Sequence, residues 1–409
     1  MLVASGADVR RIGFNRGDEF EWRGMAGYTA FTAPQEGWEA WITAYLSRED
    51  ITDLVLYGDS RPIHRIATAA ARTCGITVHC FEEGYLRPYW ATYERAGANG
   101  NSRLMDMGVA EMRAALGPEE IDLPEAPASW GAMWHHTWLG FLYHANILLR
   151  NGAYPNHRPH RGVGVAREFY LHTVRMVGLP IAGLRRRVRE RRLRRSAAPY
   201  HLVLLQLSHD SAMRDHSRFS SNAEFAEHCI NAFAEGAPGH HRLVFKAHPL
   251  EDGREPIAGE IRRLAARLGV GERVDVIPGG KLGPLLDRAR TVVTVNSTAG
   301  QQALWRGLPL RVHGRAVYAK PEFVAPQPLA AFFRGPMRPD ARAYRDFRRY
   351  LLATSQIRGG FYARRDREAL LRQVVDRMRD PADPYDALLR DRATLPEGAV
   401  AGQPLRVVS

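Results

Sequence analysis

Four groups of polar residues in this chain stand directly after short apolar runs, where a strand would empty into a loop. The run Ile76 to Phe81 breaks into Glu82, Glu83 and Gly84, and Arg87 and Trp90 follow in the stretch that ends at Ser102. Asp53 to Gly58 (DLVLYG) opens into Asp59, Ser60, Arg61 and Pro62, with His64 a turn into the next helix. Gln206 to Ser211 (QLSHDS) closes a third run and precedes His216 and Ser217. The fourth group pairs Lys246, Ala247, His248 and Pro249 with Asn296, Ser297, Thr298, Ala299 and Gly300. In open α/β sheets, ligands bind at the carboxyl ends of the strands, so such groups are site candidates.

Their chemistry suits sugars and phosphates. Paired acids, a glycine, tyrosines, Arg87 and Trp90 in one short span fit recognition of either; a plain loop with its acids in water is the alternative. Ser297 and Thr298 can cap a helix whose free N–H groups and positive dipole end receive a phosphate. Lys246 and His248 would add donors or charge to that anion, and Pro249 forces the turn that directs the histidine. A satisfied cap beside a core histidine is the plainer reading of the same residues. No Asp-x-Asp stands at a strand end, and neither a Walker loop nor a Gly-x-Gly-x-x-Gly loop occurs. A metal-held nucleotide or a dinucleotide is therefore not expected, and no cofactor or metal site is assigned.

The elements that must carry these groups alternate. Strands are expected at Val9 to Phe14, Asp53 to Gly58 and Ile76 to Phe81. A helix at Arg61 to Thr73 puts Ile63, Ile66, Ala67 and Ala70 on one face and stops at Gly75. That order implies a parallel sheet with right-handed crossovers. After Pro199, strands at His201 to Leu207, Arg242 to His248, Val274 to Ile277, Thr291 to Asn296 and Leu310 to His313 alternate with helices. Two further helices, Tyr344 to Leu352 and Arg367 to Met378, follow, and a terminal helix could pack back across the first domain. The expected fold class is α/β, two Rossmann-like doubly wound domains facing a cleft. The expected divisions are 1–165, a connector 166–199, 200–345, and C-terminal helices 346–409. Leu2 to Gly6 reads as the last turn of a helix, so the first strand and most of its helix are expected upstream of this start.

Net charge is +13, from 57 Lys and Arg against 44 Asp and Glu, which points to an anionic partner. Three cysteines without ligand spacing fit a reducing cytoplasm. No apolar leader is visible at the start. Trp130 to Leu149, with three histidines, is poor material for a membrane span. Trp134, Trp138, Phe141 and Leu148 at helical spacing make it a core helix first and an interfacial aromatic helix second. Val177, Ile181, Leu184 and Val188 form an apolar stripe beside eight arginines between Arg185 and Arg195. A solvated basic helix would look the same, but such a stripe also suits anionic lipid headgroups, at roughly 1 kcal/mol per basic residue. No aromatic–basic interleaving accompanies it, so nucleic acid is not the expected partner.

Several long motifs resemble one family. They are FNRGDEF (Phe14 to Phe20), YGDSRPIHRIA (Tyr57 to Ala67), FEEGYLRP-x-W-x-T-x-E-x-x-G-x-N (Phe81 to Asn99) and LQLSHDS (Leu205 to Ser211). HS-x-F (His216 to Phe219), LVFKAHPLEDG (Leu243 to Gly253), NSTAG (Asn296 to Gly300) and QIRGGFY (Gln356 to Tyr362) continue the series. Together they look like the capsule polysaccharide biosynthesis family of the KpsS/LipB type, over nearly the whole chain. The resemblance implies a GT-B fold and a metal-independent, retaining β-Kdo transferase. CMP-Kdo would be the donor and a phosphatidylglycerol or lysophosphatidylglycerol terminus the acceptor. The product would start the lipid linker of a Gram-negative capsule at the inner face of the inner membrane, among capsule assembly and export proteins. By the same resemblance His248 and Pro249 bind CMP, and Asp210 is the supposed nucleophile. An oxocarbenium-like transition state at a ketal carbon fits either a carboxylate nucleophile or front-face attack. Glu83, Asp59 and His64 are then candidates for deprotonating or orienting the acceptor, with Glu83 the rival of Asp210. Arg61 and Arg87 could meet the acceptor phosphate or the Kdo carboxylate. Transfer of another CMP-ketose such as sialic acid, or a non-catalytic export or lipid-binding role on the same fold, are the competing readings. Such relatives begin with a strand and glycine-rich turn upstream of Leu2, and carry an asparagine where Gly359 stands.

Overall fold

The computed structural model describes residues 1–87, 89–117, 134–158, 164, 167, 183–184, 186–193, 195–207, 213, 216–249, 251 and 257–393. Asp210, the 118–129 connector, Val177 and Ile181 therefore lie outside the described residues.

The chain is α/β, and its second sheet forms as the sequence indicates. Five short strands, β6 (Tyr200–Leu204), β7 (Arg242–Lys246), β8 (Val274–Ile277), β9 (Ala289–Thr294) and β10 (Leu310–Val312), lie all parallel in the order β10-β9-β6-β7-β8. The numbers read outward both ways from β6, which is the Rossmann-like arrangement. Both faces are covered, so the strands are near-continuous apolar runs. Val203, Phe245 and Val293 face the helices Asn222–Gly236 and Ile257–Arg267. Leu202, Val244 and Val292 face a core that also takes in Tyr85, Leu104, Met112 and Phe347. One continuous apolar core thus joins this sheet to residues from the first third of the chain.

The first sheet departs from expectation. β3 (Asp53–Tyr57) and β4 (Thr77–Glu83) are parallel and joined by the helix α3 (Pro62–Thr73). After Gly84 the chain does not enter a β-to-α loop. It turns straight back as β5 (Trp90–Arg95), antiparallel to β4, with Glu82 opposite Thr92 and Glu83 opposite Ala91. A fourth strand, β11 (Gln356–Arg358), comes from the far end of the chain and pairs antiparallel with β5. The helix Arg364–Arg379 packs behind it through Leu370 and Val374. The opening strand β1 (Arg11–Gly13) also fails to join this sheet, pairing instead with β2 (Tyr28–Ala30). Between those two, α1 (Arg16–Trp22) starts at Asn15, whose side chain accepts from the Asp18 N–H, so the polar FNRGD loop is a helix cap.

The helix α5 (Trp134–Arg150) lies against α1, with the Tyr143 hydroxyl accepting from Asn15 Nδ2 at 2.9 Å. Its expected core stripe is turned outward instead: Trp138, Phe141 and Leu148 are 52%, 46% and 45% exposed.

QIRGGFY is shaped by backbone geometry. Gly359 has φ +130°, and a methyl group there would stand 2.7 Å from the Asp366 carbonyl oxygen. No side chain fits, which is the physical reason for glycine where an asparagine was expected. Gly359→Ala is expected to lower the melting temperature by several degrees, read by thermal denaturation.

Candidate functional site

The strand order of the second sheet reverses between β6 and β9, and that crevice is bridged by side chains. Gln206 Nε2 donates to Asn296 Oδ1 at 2.9 Å, and the Asn296 N–H donates back to Gln206 Oε1 at 3.2 Å. Both residues are buried. Lys246 ends the neighbouring strand and is 5% exposed; burial, and then Arg186, pull its ammonium down to about 8, with Glu190 opposing. His248 and Pro249 lie just past the strand, beside Ile277, whose carbonyl accepts from the Ala247 N–H. Ser297 and Thr298 do not cap the following helix. That helix is Gly300–Trp305, and its N-cap Ala299 makes no side-chain capping bond. Ser297 Oγ accepts from the Ala299 N–H at 3.3 Å instead, and its carbonyl accepts from the Tyr318 hydroxyl. The turn is held tightly, but a short helix closed in this way is a weaker phosphate seat than the expected one.

The acids of the first sheet stand at the carboxyl ends of β3 and β4. Successive strand residues face opposite sides, so Glu82 and Glu83 part company. Glu83 Oε1 accepts from the Tyr57 hydroxyl at 3.1 Å and from the Tyr362 hydroxyl. Glu82 points to the other face, where its Oε2 would lie 3.0 Å from a methyl group on Gly58. Burial, with the charges of Glu83 and Asp59 behind it, pushes Glu82 up to about 7, while Arg87 pulls the other way. Position after a strand points to Glu83 but does not single out Glu82, Tyr57, Tyr362 or Gln206; strand alternation is the available signal for Glu82.

His64 is neutral: burial brings it down to about 4. Its Nδ1 bonds the Gly58 carbonyl, so Nδ1 carries the proton and Nε2 the lone pair. Asp59, 4% exposed, is committed to structure, its Oδ2 accepting from the Ala98 N–H at 2.9 Å and Asn101 Nδ2 at 3.1 Å. Arg61 and Arg87 are exposed at the mouth of this group.

The two groups are neighbours. Tyr85, two residues past Glu83, accepts on its carbonyl from Gln301 Nε2 at 2.8 Å, three residues past Thr298. Among the described residues no hydrogen bond or ion pair joins Glu83, Asp59 or His64 to Lys246, Ser297 or Thr298.

The family model described as capsule polysaccharide biosynthesis protein matches residues 52–362. The chain belongs to that family. Among its curated relatives, the capsule polysaccharide export protein KpsS of Escherichia coli is 28% identical over 378 residues, covering 88% of this chain and 92% of KpsS. The capsule polysaccharide modification protein LipB of Neisseria meningitidis serogroup B is 28% identical over 369 residues, covering 88% and 87%. Among solved structures, the β-Kdo 2,7 transferase KpsC of Thermosulfurimonas dismutans is 13% identical with a TM-score of 0.38, covering 91% and 95%. A glycosyltransferase of Rickettsia africae is 8% identical with a TM-score of 0.36, covering 95% and 92%. Among the described residues no helix of this family member is long and apolar enough to cross a membrane.

Proposed function

We propose that this member of the capsule family is a retaining β-Kdo transferase, moving Kdo from CMP-Kdo to a phosphatidylglycerol or lysophosphatidylglycerol terminus. The observation that carries the reading is the β6/β9 switch point, with Lys246, His248, Pro249 and Asn296 around it, in a chain of this family. Lys246 and His248, with the Ser297–Thr298 turn, would receive the CMP phosphate and stabilise it as it leaves. Asp210 would attack the anomeric carbon as CMP departs, forming a glycosyl-enzyme. The acceptor hydroxyl would then displace Asp210 while Glu83, of the Glu82/Glu83 pair, takes its proton. Arg61 and Arg87, exposed beside that pair, would meet the acceptor phosphate.

Docking to the inner face of the inner membrane would run through the helical residues 186–193 and their flanks. One side of that helix is anchored, with Arg189 donating to the Val276 carbonyl and Leu193 buried. The other side presents Leu184 and Val188, 63% and 60% exposed, beside Arg187, Arg191 and Arg192, which suits an anionic bilayer.

The test is transfer from CMP-Kdo to a lysophosphatidylglycerol analogue, followed by mass spectrometry of the lipid. A Kdo-lipid is expected, and Asp210→Ala should reduce its formation at least ~10³-fold while leaving CMP binding intact. Consumption of CMP-sialic acid in place of CMP-Kdo would overturn the sugar assignment. Wild-type turnover by Asp210→Ala would overturn the nucleophile.

A further inference from the structure

A polar cavity lies on the α3 side of Asp59, between one face of α3 and residues 96–106, and it is closed by Arg315 from the second sheet's side. It measures about 370 Å³, and its lining includes Arg65, Thr68, Arg72, Asn101 and Arg315. Arg65, Thr68 and Arg72 recur at helical spacing, so they project from one face of α3 into the same space. Arg315 is brought there by an antiparallel bridge between Ser217 and Gly314 and by its N–H, which donates to the His216 carbonyl at 2.7 Å. The His216 ring in turn rests on Gly100, where a methyl group would stand 2.5 Å from it.

The charges in this cavity are unbalanced. Among the described residues Arg65, Arg72 and Arg315 enter no ion pair, whereas Arg10, Arg16, Arg103, Arg113, Arg242 and Arg306 all do. Arg72 is fixed at the rim by one bond, to the Ala96 carbonyl at 2.6 Å. Asp59 reaches the cavity with its carboxylate already engaged by Ala98 and Asn101, and Asp106 is the other acid of the lining. Thr68 supplies an independent sign: it lines the cavity, is 8% exposed, and its buried hydroxyl has no hydrogen-bond partner among the described residues. Buried hydroxyls without partners are uncommon and call for a ligand or ordered water.

We propose that this cavity binds the phosphate group of a small ligand, with Arg65 and Arg72 on one side, Arg315 on the other and the Thr68 hydroxyl beneath. Guanidinium groups converging from separate elements match a tetrahedral oxyanion's several acceptor oxygens. The bound phosphate would tie α3 to the Ser217–Arg315 segment, two parts of the chain that build different sheets. The inference goes beyond the transferase reading and needs neither CMP-Kdo nor transfer to be correct.

The full chain is titrated by calorimetry with inorganic phosphate, with glycerophosphoglycerol as a soluble phosphodiester headgroup, and with acetate as a carboxylate control. Saturable binding of one or both phosphates is expected, at least tenfold tighter than acetate. Preference for the diester assigns a lipid headgroup, and preference for the monoester assigns a free phosphate. Arg65→Gln with Arg315→Gln should weaken binding at least tenfold, and Thr68→Val a few-fold, with melting temperatures checked for each variant. Undiminished binding in the double variant, or no saturable binding of any probe to the wild-type chain, overturns the proposal. Because the readout is binding, Kdo transfer can fail without affecting it, and the reverse also holds.

Discussion

Glu94→Ala is expected to destabilise the protein by about 3–5 kcal/mol, seen as a shifted midpoint in urea denaturation. Glu94 sits on β5, is fully buried, and collects three hydroxyl donors. Tyr85 donates to its Oε1 at 2.6 Å, and Ser102 and Tyr385 donate to its Oε2, the latter at 2.8 Å. Alanine would leave all three hydroxyls facing a void, and each buried donor without a partner costs about 1–3 kcal/mol. The charge has a second consequence. Burial pushes this carboxyl up to about 7 from an ordinary 4.5, although its three hydroxyl partners pull it down. Between those two values the folded chain holds a proton that the unfolded chain has released, so stability falls as pH rises through the window and the loss is complete above it. The slope is at most about 1.4 kcal/mol per pH unit. Glu94→Gln keeps the shape and should flatten that slope relative to wild type; an unchanged slope would remove Glu94 as its source.

Glu83→Gln is expected to lower kcat for transfer by ~10²–10⁴-fold with the fold intact. Its carboxylate is oriented by two tyrosine hydroxyls, one on β3 and one in the turn after β11, and an amide cannot take the acceptor's proton. Glu82→Gln should behave differently. It faces away from Glu83, and burial, with its neighbour's charge behind it, pushes its carboxyl up to about 7. Removing its charge should retain measurable turnover and take its ionisation near 7 out of the pH–rate profile. If both glutamine variants kept full activity, this pair would have no part in proton transfer.

The second sheet was legible because each of its strands is a short apolar run with a turn signal after it, and because strand and helix alternate. In the first sheet only the parallel pair β3 and β4 was legible, and the residues say why. Trp90 to Arg95 contains Thr92 and Glu94, polar residues that are buried yet satisfied by partners as distant as Gln356 and Tyr385. Local patterning cannot reveal such long-range satisfaction, so the sequence of β5 reads as loop. β11 is three residues long and exists only because β5 presents an edge to it. The same limit applied at the site. Lys246, Asn296 and Glu83 were named from their positions after strands. The tyrosine hydroxyls that orient Glu83 and the glutamine that bridges to Asn296 were fixed by tertiary contacts. The aromatic spacing of α5 was real, but spacing alone does not say which face a helix buries.

Order of synthesis gives the returning strand a further meaning. Glu83 and Tyr362 are 279 residues apart, and β11 reaches β5 only after the whole second sheet has been made. A nascent chain therefore carries Glu83 without its Tyr362 contact, and Gln356, which donates to Thr92 at 3.0 Å and accepts from the Leu86 N–H at 3.2 Å, arrives last. Glu83 gains its second hydroxyl donor only when that distant segment docks, so its final geometry waits on the making of nearly the whole chain.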